Sequence, residues 1–423
     1  MSSMKTMILQ ALQSLGIEHY LIRREETEST QLFFIKKQLD LRRVSSTDLT
    51  TVTVYRDFEA DGRPMRGESS AILAPGTDMA ELEAELSAAW AAAAHVHNPA
   101  FRLYEGSAEP ELPAEHPFDL QEAARAMSRA LFAADTRTDA FLNSAELFVS
   151  KTHVSILSSA GTDVAYTRQS CECEFVTQCL LPRDVEQHYT FRYSFPDTEG
   201  LTKKVSDGLA AVTDRANAEH APASGEYTLL LSGEHLRTLL DLYLQRADAS
   251  MVYAGYSRYQ AGTQVQGEEI SGALLNLTLL PKAPYSGEGI PMRERVLLQD
   301  GVLQCIHGST RFCRYLDIQP TGSYSRLRLD PGSVPFEELR KGCLYPVSFS
   351  DFQMDTFSGY FGGEIRLAYL FHEDGSCEIL SGGSVSGSLL DRQGRLTFSS
   401  ETWSDASYEG PFAVRIPEVS VAG

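Results

Sequence analysis

Long apolar stretches are missing from this sequence: no run approaches the roughly 20 consecutive apolar residues that a membrane helix needs. The first residues, MSSMKTMILQALQSLGIEHY, have the pattern of an amphipathic helix rather than of a signal peptide. Basic residues are also scarce, since 37 Lys and Arg face 57 Asp and Glu for a formal net charge of -20. Nucleic-acid affinity comes mostly from clustered Lys and Arg. We therefore expect a cytoplasmic protein with no nucleic acid and no membrane among its partners.

Paired cysteines of the CxxC type are absent, and the seven cysteines are an odd number. Cys171 and Cys173, in the segment CEC, have the spacing of a strand, which places both thiols on one face. A free cysteine in such a position behaves as a small hydrophobe. We predict that both are buried and structural rather than metal-binding or redox-active.

None of the ten histidines lies in a complete metal-binding motif, and His95 and His97, two apart near the end of a helix, point to different faces. His372-Glu373 resembles the start of a peptidase motif, but it runs into the turn residues DGS with no second histidine. No Gly-rich phosphate loop with a lysine and no GxSxG elbow is present in the sequence. His307 stands out because Gly308, Ser309, Thr310 and Arg311 follow it. That cluster could bind a peptide carboxylate or backbone, and the alternative is an ordinary polar loop.

The segment SGEHLRTLLDLYL, residues 232–244, raises the question of a metal-binding helix. Zinc peptidases commonly place His-Glu before a second histidine one helical turn later. Here Glu234 precedes His235, and Leu239 stands one turn after the histidine. The apolar stripe of the segment has helical spacing and comprises Leu236, Leu239, Leu240 and Tyr243. Taken alone, the segment predicts a packing helix with Ser232 placed to cap it.

The first half of the sequence contains one pattern twice. Each unit has a helix, alternating strands such as TVTVY or HVSIL, and a second helix. The four predicted helices cover residues 3–15, 78–95, 119–133 and 200–217. The acidic, Pro-rich segment EGSAEPELPAEHP joins the units. We predict an N-terminal domain, 1–220, with repeats at about 1–104 and 118–220.

The pattern changes after residue 220, where short strands alternate with Gly or Pro turns. LLQDGVLQC and FHEDGSCEI are typical of hairpins with Asp-Gly turns, which tolerate the positive φ angles that such turns require. We predict a C-terminal β-rich domain, 221–423, built as a sandwich or a barrel. The fold class is therefore α+β.

The segment RERVLLQDGVLQCIHGSTRFCRYLDIQPTGSYSRLRLDPG resembles the TldD/PmbA family, in which an apolar-DG-x-L hairpin leads to a loop, a TG pair and an arginine. The matching residues are Asp300, Gly301, Leu303, Thr321, Gly322 and Arg326. PFEELRKGCLYPVSF is similar to the family's short helix that ends in a glycine, PEVSVAG is similar to its closing strand, and ILSSAGTDVAYTRQS resembles a strand turn of its N-terminal half. We predict that three residues bind peptide: His307, Arg311 and Arg326.

The resemblance implies one of two forms, which pair into a heterodimeric bacterial metallopeptidase acting on unfolded or flexible peptides. The TldD form has a His-Glu-x-x-x-His helix and a late cysteine as zinc ligands, and the TldE or PmbA form lacks them. GEHLRTLLDLY stands at the place of that helix, and SSETWSDASYEGPFAVRIPEV contains no cysteine. Both departures fit the metal-free form, and the acidic charge disfavours a literal reading of the family's older description as a modulator of DNA gyrase.

We therefore expect a non-catalytic subunit with no metal, no cofactor and no catalytic residue of its own. Its expected partners are a TldD-like paralogue or itself, as a dimer, and an extended peptide substrate. Two alternatives stay open. One is a metallopeptidase with unconventional ligands such as His235, His307 or Cys343, since ligands can come from distant segments. The other is a homodimeric peptide-binding protein.

Overall fold

A computed structural model describes residues 2–423, and its first half forms one antiparallel sheet from two similar units. The elements of unit one are α1 (Ser2–Ser14), β1 (His19–Ile35), β2 (Gln38–Ala60), β3 (Arg63–Leu73) and α2 (Met79–Ala93). Those of unit two are α3 (Leu120–Ala133), β4 (Phe141–Ser158), β5 (Asp163–Cys179), β6 (Val185–Tyr193) and α4 (Thr198–Asn217). The strand order β3-β2-β1-β4-β5-β6 is symmetric about the β1–β4 pair. The duplicated pattern predicted from the sequence is thus confirmed, with the units fused edge to edge.

All four helices cover the same face of this sheet. Ile22 packs in a core with α1 and α2, whereas Leu32 and Phe34 of the same strand pack in a core with α3 and α4. Side chains two residues apart on a strand share a face, so these three residues point the same way. Cys171 and Cys173 lie in the second of these cores with no exposure, which confirms their predicted burial. The opposite face of β4 and β5 packs on Tyr285 of the second half.

Aspartate caps fix where three of these helices begin. Asp78, Asp119 and Asp197 each accept a hydrogen bond from a backbone N–H in the first turn of α2, α3 and α4. At α2 the cap is a full capping box, because the Glu81 side chain also accepts from the N–H of Asp78. These caps satisfy backbone donors that a helix start otherwise leaves unpaired.

The second half contains a closed barrel of five strands. Its strands are β7 (Gly225–Ser232), β12 (Cys343–Met354), β13 (Tyr360–Phe371), β15 (Ser384–Ser388) and β19 (Ala413–Ala422). They pair in the order β12-β7-β19-β15-β13, and pairing of β13 with β12 closes the ring. Only β12 and β7 run parallel. Two short strands, β14 (Cys377–Leu380) and β16 (Thr397–Phe398), pair with β13 and β19. Of the two predicted architectures, the barrel is the one observed.

A second sheet of six strands lies beside the barrel in the order β10-β9-β8-β11-β18-β17. Its strands are β8 (Leu277–Leu280), β9 (Arg295–Gln299), β10 (Val302–Leu303), β11 (Arg326–Leu329), β17 (Thr402–Ser404) and β18 (Tyr408–Pro411). The helices of this half are α5 (Gly233–Arg246), α6 (Ala249–Tyr253), α7 (Thr310–Tyr315) and α8 (Phe336–Leu339), with a 3-10 turn at Gln393–Arg395. Residues of α5, the barrel and the second sheet share one large hydrophobic core.

The two predicted Asp-Gly hairpins differ in the structure. Asp300 and Gly301 both have positive φ, 52° and 76°, as a two-residue turn between β9 and β10 requires. Between β13 and β14 the loop is longer, and only Gly375 has a positive φ, 88°. Asp374 instead accepts hydrogen bonds from the N–H and hydroxyl of Ser376. Within residues 2–423 no helix is both long and apolar enough to cross a membrane.

Candidate functional site

Helix α5 begins immediately after barrel strand β7. Ser232 occupies the N-cap position, but its side chain makes no capping hydrogen bond. Its Oγ lies 2.7 Å from the hydroxyl of Tyr345 instead, so the predicted capping by this side chain is wrong. The N–H of Gly233 donates to the carbonyl of Phe412 at 3.1 Å. The start of α5 is therefore tied to β12 and to the segment before β19.

Aromatic rings fill the space beside this helix start. Phe336 lies between Phe412 and Tyr345, with ring centroids 5.1 and 5.7 Å away. Tyr345 in turn contacts Phe371 at 6.4 Å. These rings form a hydrophobic cluster with Leu230, Leu339, Cys343 and Ala413. The cluster offers carbon atoms, rather than ligand atoms, to anything placed against the first turn of α5.

His235 is held by two phenylalanine rings. Its imidazole centroid lies 4.8 Å from that of Phe349 and 5.4 Å from that of Phe352, in edge contacts. Burial lowers the pKa of His235, which keeps the ring neutral. The Glu234 carboxylate stays 4.0 Å from Nε2. One turn later, Leu239 is 2% exposed and belongs to the large core.

The donor atoms around α5 do not fit a zinc ion. Zinc takes three or four nitrogen, sulfur or oxygen ligands at about 2.0 to 2.3 Å. Within the part of the chain that the structure describes, no three or more His, Cys, Asp and Glu side chains are grouped to hold a metal. The Cys343 thiol donates to the carbonyl of Leu339, and burial raises its pKa to about 11. We assign no chemical step to a metal in this chain.

Arg237 of α5 is a buried charge that periodicity did not single out. Its side chain is 11% exposed, and Nη1 donates to the Asp241 carboxylate at 2.6 Å. Nη2 and Nε donate to the carbonyls of Ser325 and Ser407 at 2.9 and 3.3 Å. Because all three nitrogens are paired, Arg237 joins α5 to the second sheet and is not free to hold a ligand.

The three residues predicted to bind peptide each make internal contacts with a different element. His307 is 2% exposed, and its Nε2 lies 3.0 Å from the carbonyl of Leu244 in α5. Arg311 forms an ion pair with Glu68 of β3, in the N-terminal sheet. Arg326 forms an ion pair with Glu409 of β18. Peptide binding by these side chains stays a prediction.

The segment from His307 to Tyr315 is a junction between the two halves of the chain. Besides the Arg311–Glu68 pair, the hydroxyl of Tyr315 donates to the carbonyl of Pro99 at 2.6 Å. Glu288 accepts from the N–H of Thr310 at 2.9 Å, and burial raises the pKa of this carboxyl. The segment is thus more buried than the polar loop that the sequence offered as an alternative.

An open cleft lies where α5 ends. Its volume is about 560 Å³, within the range of small-ligand sites, and we call it the α5 cleft. The residues that line it are Arg246, Gly255, Tyr256, Ser257, Arg258, Tyr259, Thr263, Gln264, Val265, Gly267 and Gln393. Gly267 also lines a second cleft of about 420 Å³, so the two clefts are neighbours. These segments are far apart in the sequence, and no local motif marks them.

Comparison with known proteins gives one family and several structures. Residues 224–423 match the PmbA/TldA metallopeptidase C-terminal domain. A protein from Thermotoga maritima MSB8, described as a proposed modulator of a DNA gyrase, superposes with a TM-score of 0.77 at 17% identity, covering 99% of both chains. TldE from Thermococcus kodakarensis superposes with a TM-score of 0.77 at 14% identity and full coverage of both chains, 100% each. A proposed modulator of DNA gyrase from Bacteroides thetaiotaomicron VPI-5482 gives 0.80 at 15% identity, covering 100% of this chain and 99% of its own. No curated protein matches the sequence.

Proposed function

The chain belongs to the TldD/PmbA family, as its sequence predicted, and we propose on this basis that it is a non-catalytic, TldE/PmbA-like subunit. In this proposal it pairs in the cytoplasm with a zinc-bearing TldD-type paralogue, and the pair is a peptidase acting on unfolded or flexible peptides. The start of α5 carries the proposal. A helix is present at the place that the resemblance gives to the zinc-binding helix, but its side chains are a histidine packed between Phe349 and Phe352 and a leucine in the core.

An unpaired strand edge supports pairing with another chain. Strand β3 pairs only with residues 50–60 of β2, so the outer edge of residues 38–49 has no strand partner within residues 2–423. Leu39, Leu41 and Val44 on this segment are 52%, 49% and 67% exposed. We call residues 38–49 the open β2 edge. A long apolar edge of this kind is a template for strand addition by another chain.

In the proposal the open β2 edge is assigned to the TldD-type subunit, with a second copy of this chain as the competing outcome of the test. Residues 38–49 contain two basic and two acidic side chains, Arg42, Arg43, Asp40 and Asp48, so this edge has no net charge. Its exposed apolar side chains, rather than its charge, are what a partner strand would cover.

The proposal is tested by reconstitution. The chain and its TldD-type paralogue are purified separately and assayed on an unfolded protein substrate, alone and mixed. Full peptidase activity is expected only in the mixture, with the zinc in the paralogue. A paralogue that is equally active alone would refute the proposal. Stoichiometric zinc in this chain would favour the metallopeptidase alternative, and a homodimer that takes up no paralogue would favour the peptide-binding alternative.

A matched pair of variants tests the edge itself. Leu41→Lys places a charge on the open β2 edge, and Leu181→Lys places one on a leucine that is 79% exposed elsewhere. Leu41→Lys should weaken binding to the paralogue by about tenfold or more, because it desolvates a charge in a strand contact. Leu181→Lys should bind as the parent chain does. Equal binding by both variants would remove the open β2 edge from the interface.

A further inference from the structure

The walls and floor of the α5 cleft are fixed by internal hydrogen bonds. Between the lining residues 259 and 263, the N–H of Gly262 donates to the carbonyl of Leu303 at 2.7 Å, and the N–H of the lining residue Ser257 donates to the carbonyl of Met251 at 3.0 Å. In the floor, the Gln393 side chain accepts from the hydroxyl of Tyr243 at 2.8 Å. The concave shape is therefore largely preformed, as is usual for ligand sites.

Three acceptor groups of residues that line the cleft are already engaged. Ser257 Oγ accepts from the N–H of Tyr259 at 3.2 Å, and Gln264 Oε1 accepts from the N–H of Gln266 at 3.0 Å. The carbonyl of Gln393 accepts from the Gln266 amide at 3.0 Å. None of the residues that line the cleft is Asp or Glu. The lining therefore contains no carboxylate that would repel an anionic ligand.

Donor groups, in contrast, are left over. The exposed guanidinium of Arg258 has no hydrogen bond, ion pair or ring contact within the described residues 2–423. Arg246 uses Nε and Nη2 on the carbonyls of Thr356 and Phe357, at 2.8 and 2.7 Å, and its guanidinium also interacts with the neighbouring Tyr259 hydroxyl. An arginine fixed by the protein and a second arginine without a partner therefore line the same cleft.

Tyr259 adds a third donor. Its hydroxyl is buried, and no group in the described part of the chain makes a well-directed hydrogen bond to it. Burial raises the pKa of Tyr259 to about 12, while the neighbouring Arg246 lowers it, so the phenol stays protonated at neutral pH. A buried polar group without a partner costs free energy that a bound acceptor would recover.

From these leftover donors we infer that the α5 cleft is a carboxylate-binding subsite, in which Arg258, Arg246 and Tyr259 hold a carboxylate of a peptide. The residues that line the cleft include two arginines and no acidic residue, whereas the whole chain has 57 acidic and 37 basic residues. The second cleft shares Gly267 with this one, which places further concave surface beside the subsite for an extended peptide. The inference deepens the proposed function and rests on it for the choice of a peptide as the ligand.

The carboxylate has two sources, the C-terminus of a peptide and an acidic side chain, and three labelled peptides distinguish them. The first has a free C-terminal acid and no acidic side chain, the second is its C-terminal amide, and the third is an amide with one internal glutamate. Binding to the purified full chain is measured by fluorescence anisotropy. At least one carboxylate peptide should bind about tenfold or more tightly than the neutral amide, as a charge-assisted hydrogen bond provides.

Variants assign that difference to the cleft. Arg258→Ala should abolish the preference for the carboxylate peptide, and Tyr259→Phe should reduce it while keeping the ring. Arg63→Ala is the matched control, because Arg63 is also exposed and without a partner in the described residues but lies at the β2–β3 turn. Thermal unfolding checks that each variant is folded.

Equal binding of all three peptides, or a preference that survives Arg258→Ala, would overturn the inference. Because the measurement needs neither the paralogue nor peptidase activity, its failure is distinct from failure of the reconstitution.

Discussion

Replacing Leu239 by histidine tests whether α5 is a degraded metal site or a packing helix. Residues four apart share a helix face, so Leu239→His would restore a second imidazole one turn after His235. A metal-binding backbone that lacked only its second ligand would then gain zinc and stability. Our reasoning predicts the opposite, because Leu239 is 2% exposed in the large core and the His235 ring is held by Phe349 and Phe352.

The expected loss is large. Removing a buried leucine side chain costs about 2 to 5 kcal/mol, and a buried imidazole without partners adds about 1 to 3 kcal/mol. We expect Leu239→His to lower the free energy of unfolding by about 3 kcal/mol or more. Thr238→His is the matched control on the outer side of α5, where a substitution should change stability by about 0.5 kcal/mol or less.

Urea unfolding and metal analysis provide the readouts. Leu239→Met, which keeps the volume, should cost less than about 1.5 kcal/mol and separates a packing defect from a general intolerance at this position. Neither histidine variant should retain stoichiometric zinc after dialysis. Uptake of one zinc per chain by Leu239→His, together with unchanged or higher stability, would refute the packing interpretation of α5.

Three further results are expected. Burial lowers the pKa of His235, so below about pH 6.5 the unfolded chain binds the proton more readily than the folded chain, and the free energy of unfolding falls as pH falls. In urea titrations at a series of pH values, His235→Phe should make the free energy of unfolding depend less steeply on pH. An unchanged pH dependence would contradict the burial of His235. Burial also raises the pKa of the Cys173 thiol, whereas Cys377 is exposed. A thiol reagent should therefore label Cys377 in the native protein and Cys173 only after unfolding, as mass spectrometry of the labelled peptides would show. Labelling of Cys173 in the native protein would show that its core opens. A double-mutant cycle of Ser232→Ala and Tyr345→Phe should give a coupling of about 1 kcal/mol through their hydroxyl contact, and strict additivity would deny that contact.

Local sequence signals were enough to predict most elements of the first half. The spacing of apolar residues predicted four helices, and alternation as in HVSIL predicted the strands of unit two, with ends close to those observed. In unit one the single strand predicted over QLFFIKKQLDLRRVS is wrong, because the chain turns at residues 36–37 between β1 and β2. The predicted helix 200–217 begins two residues earlier, at Thr198, because Asp197 caps it by accepting from the N–H of Gly200. Caps are single contacts, so they move an element's end without changing the periodicity on which the prediction rests.

Non-local contacts were not predictable in the same way. The sequence of β1 does not predict that Glu28 pairs with Lys151 of β4. This pairing of β1 with β4 joins the two units into one sheet. Ser232 has the residue type of a cap, yet the hydroxyl of Tyr345, brought close by β12, takes its hydrogen bond. His307 reads as a loop residue but is buried, because its backbone pairs with residues 247 and 249 at the end of α5.

The candidate site shows the same limit. Leu239 could be placed in a packing stripe from periodicity alone, whereas the α5 cleft is assembled from residues 246, 255–267 and 393. Its most informative features are a guanidinium without a partner and a phenol without an acceptor. Both are properties of the assembled surroundings and are not visible in any short segment of the sequence.

Because β19 is the last strand of the barrel to be synthesised, the two halves of the chain are expected to fold in a fixed order during synthesis. The first barrel strand, β7, pairs with β19, and residues 233–412 lie between them in the sequence. While the ribosome makes those residues, Leu229 and Leu231, which are fully buried in the finished barrel, lack that neighbour. Since non-local strand pairing is slow, the N-terminal sheet is expected to fold first and the barrel to close after residue 422 has emerged. We expect this interval to be when the nascent chain depends most on chaperones.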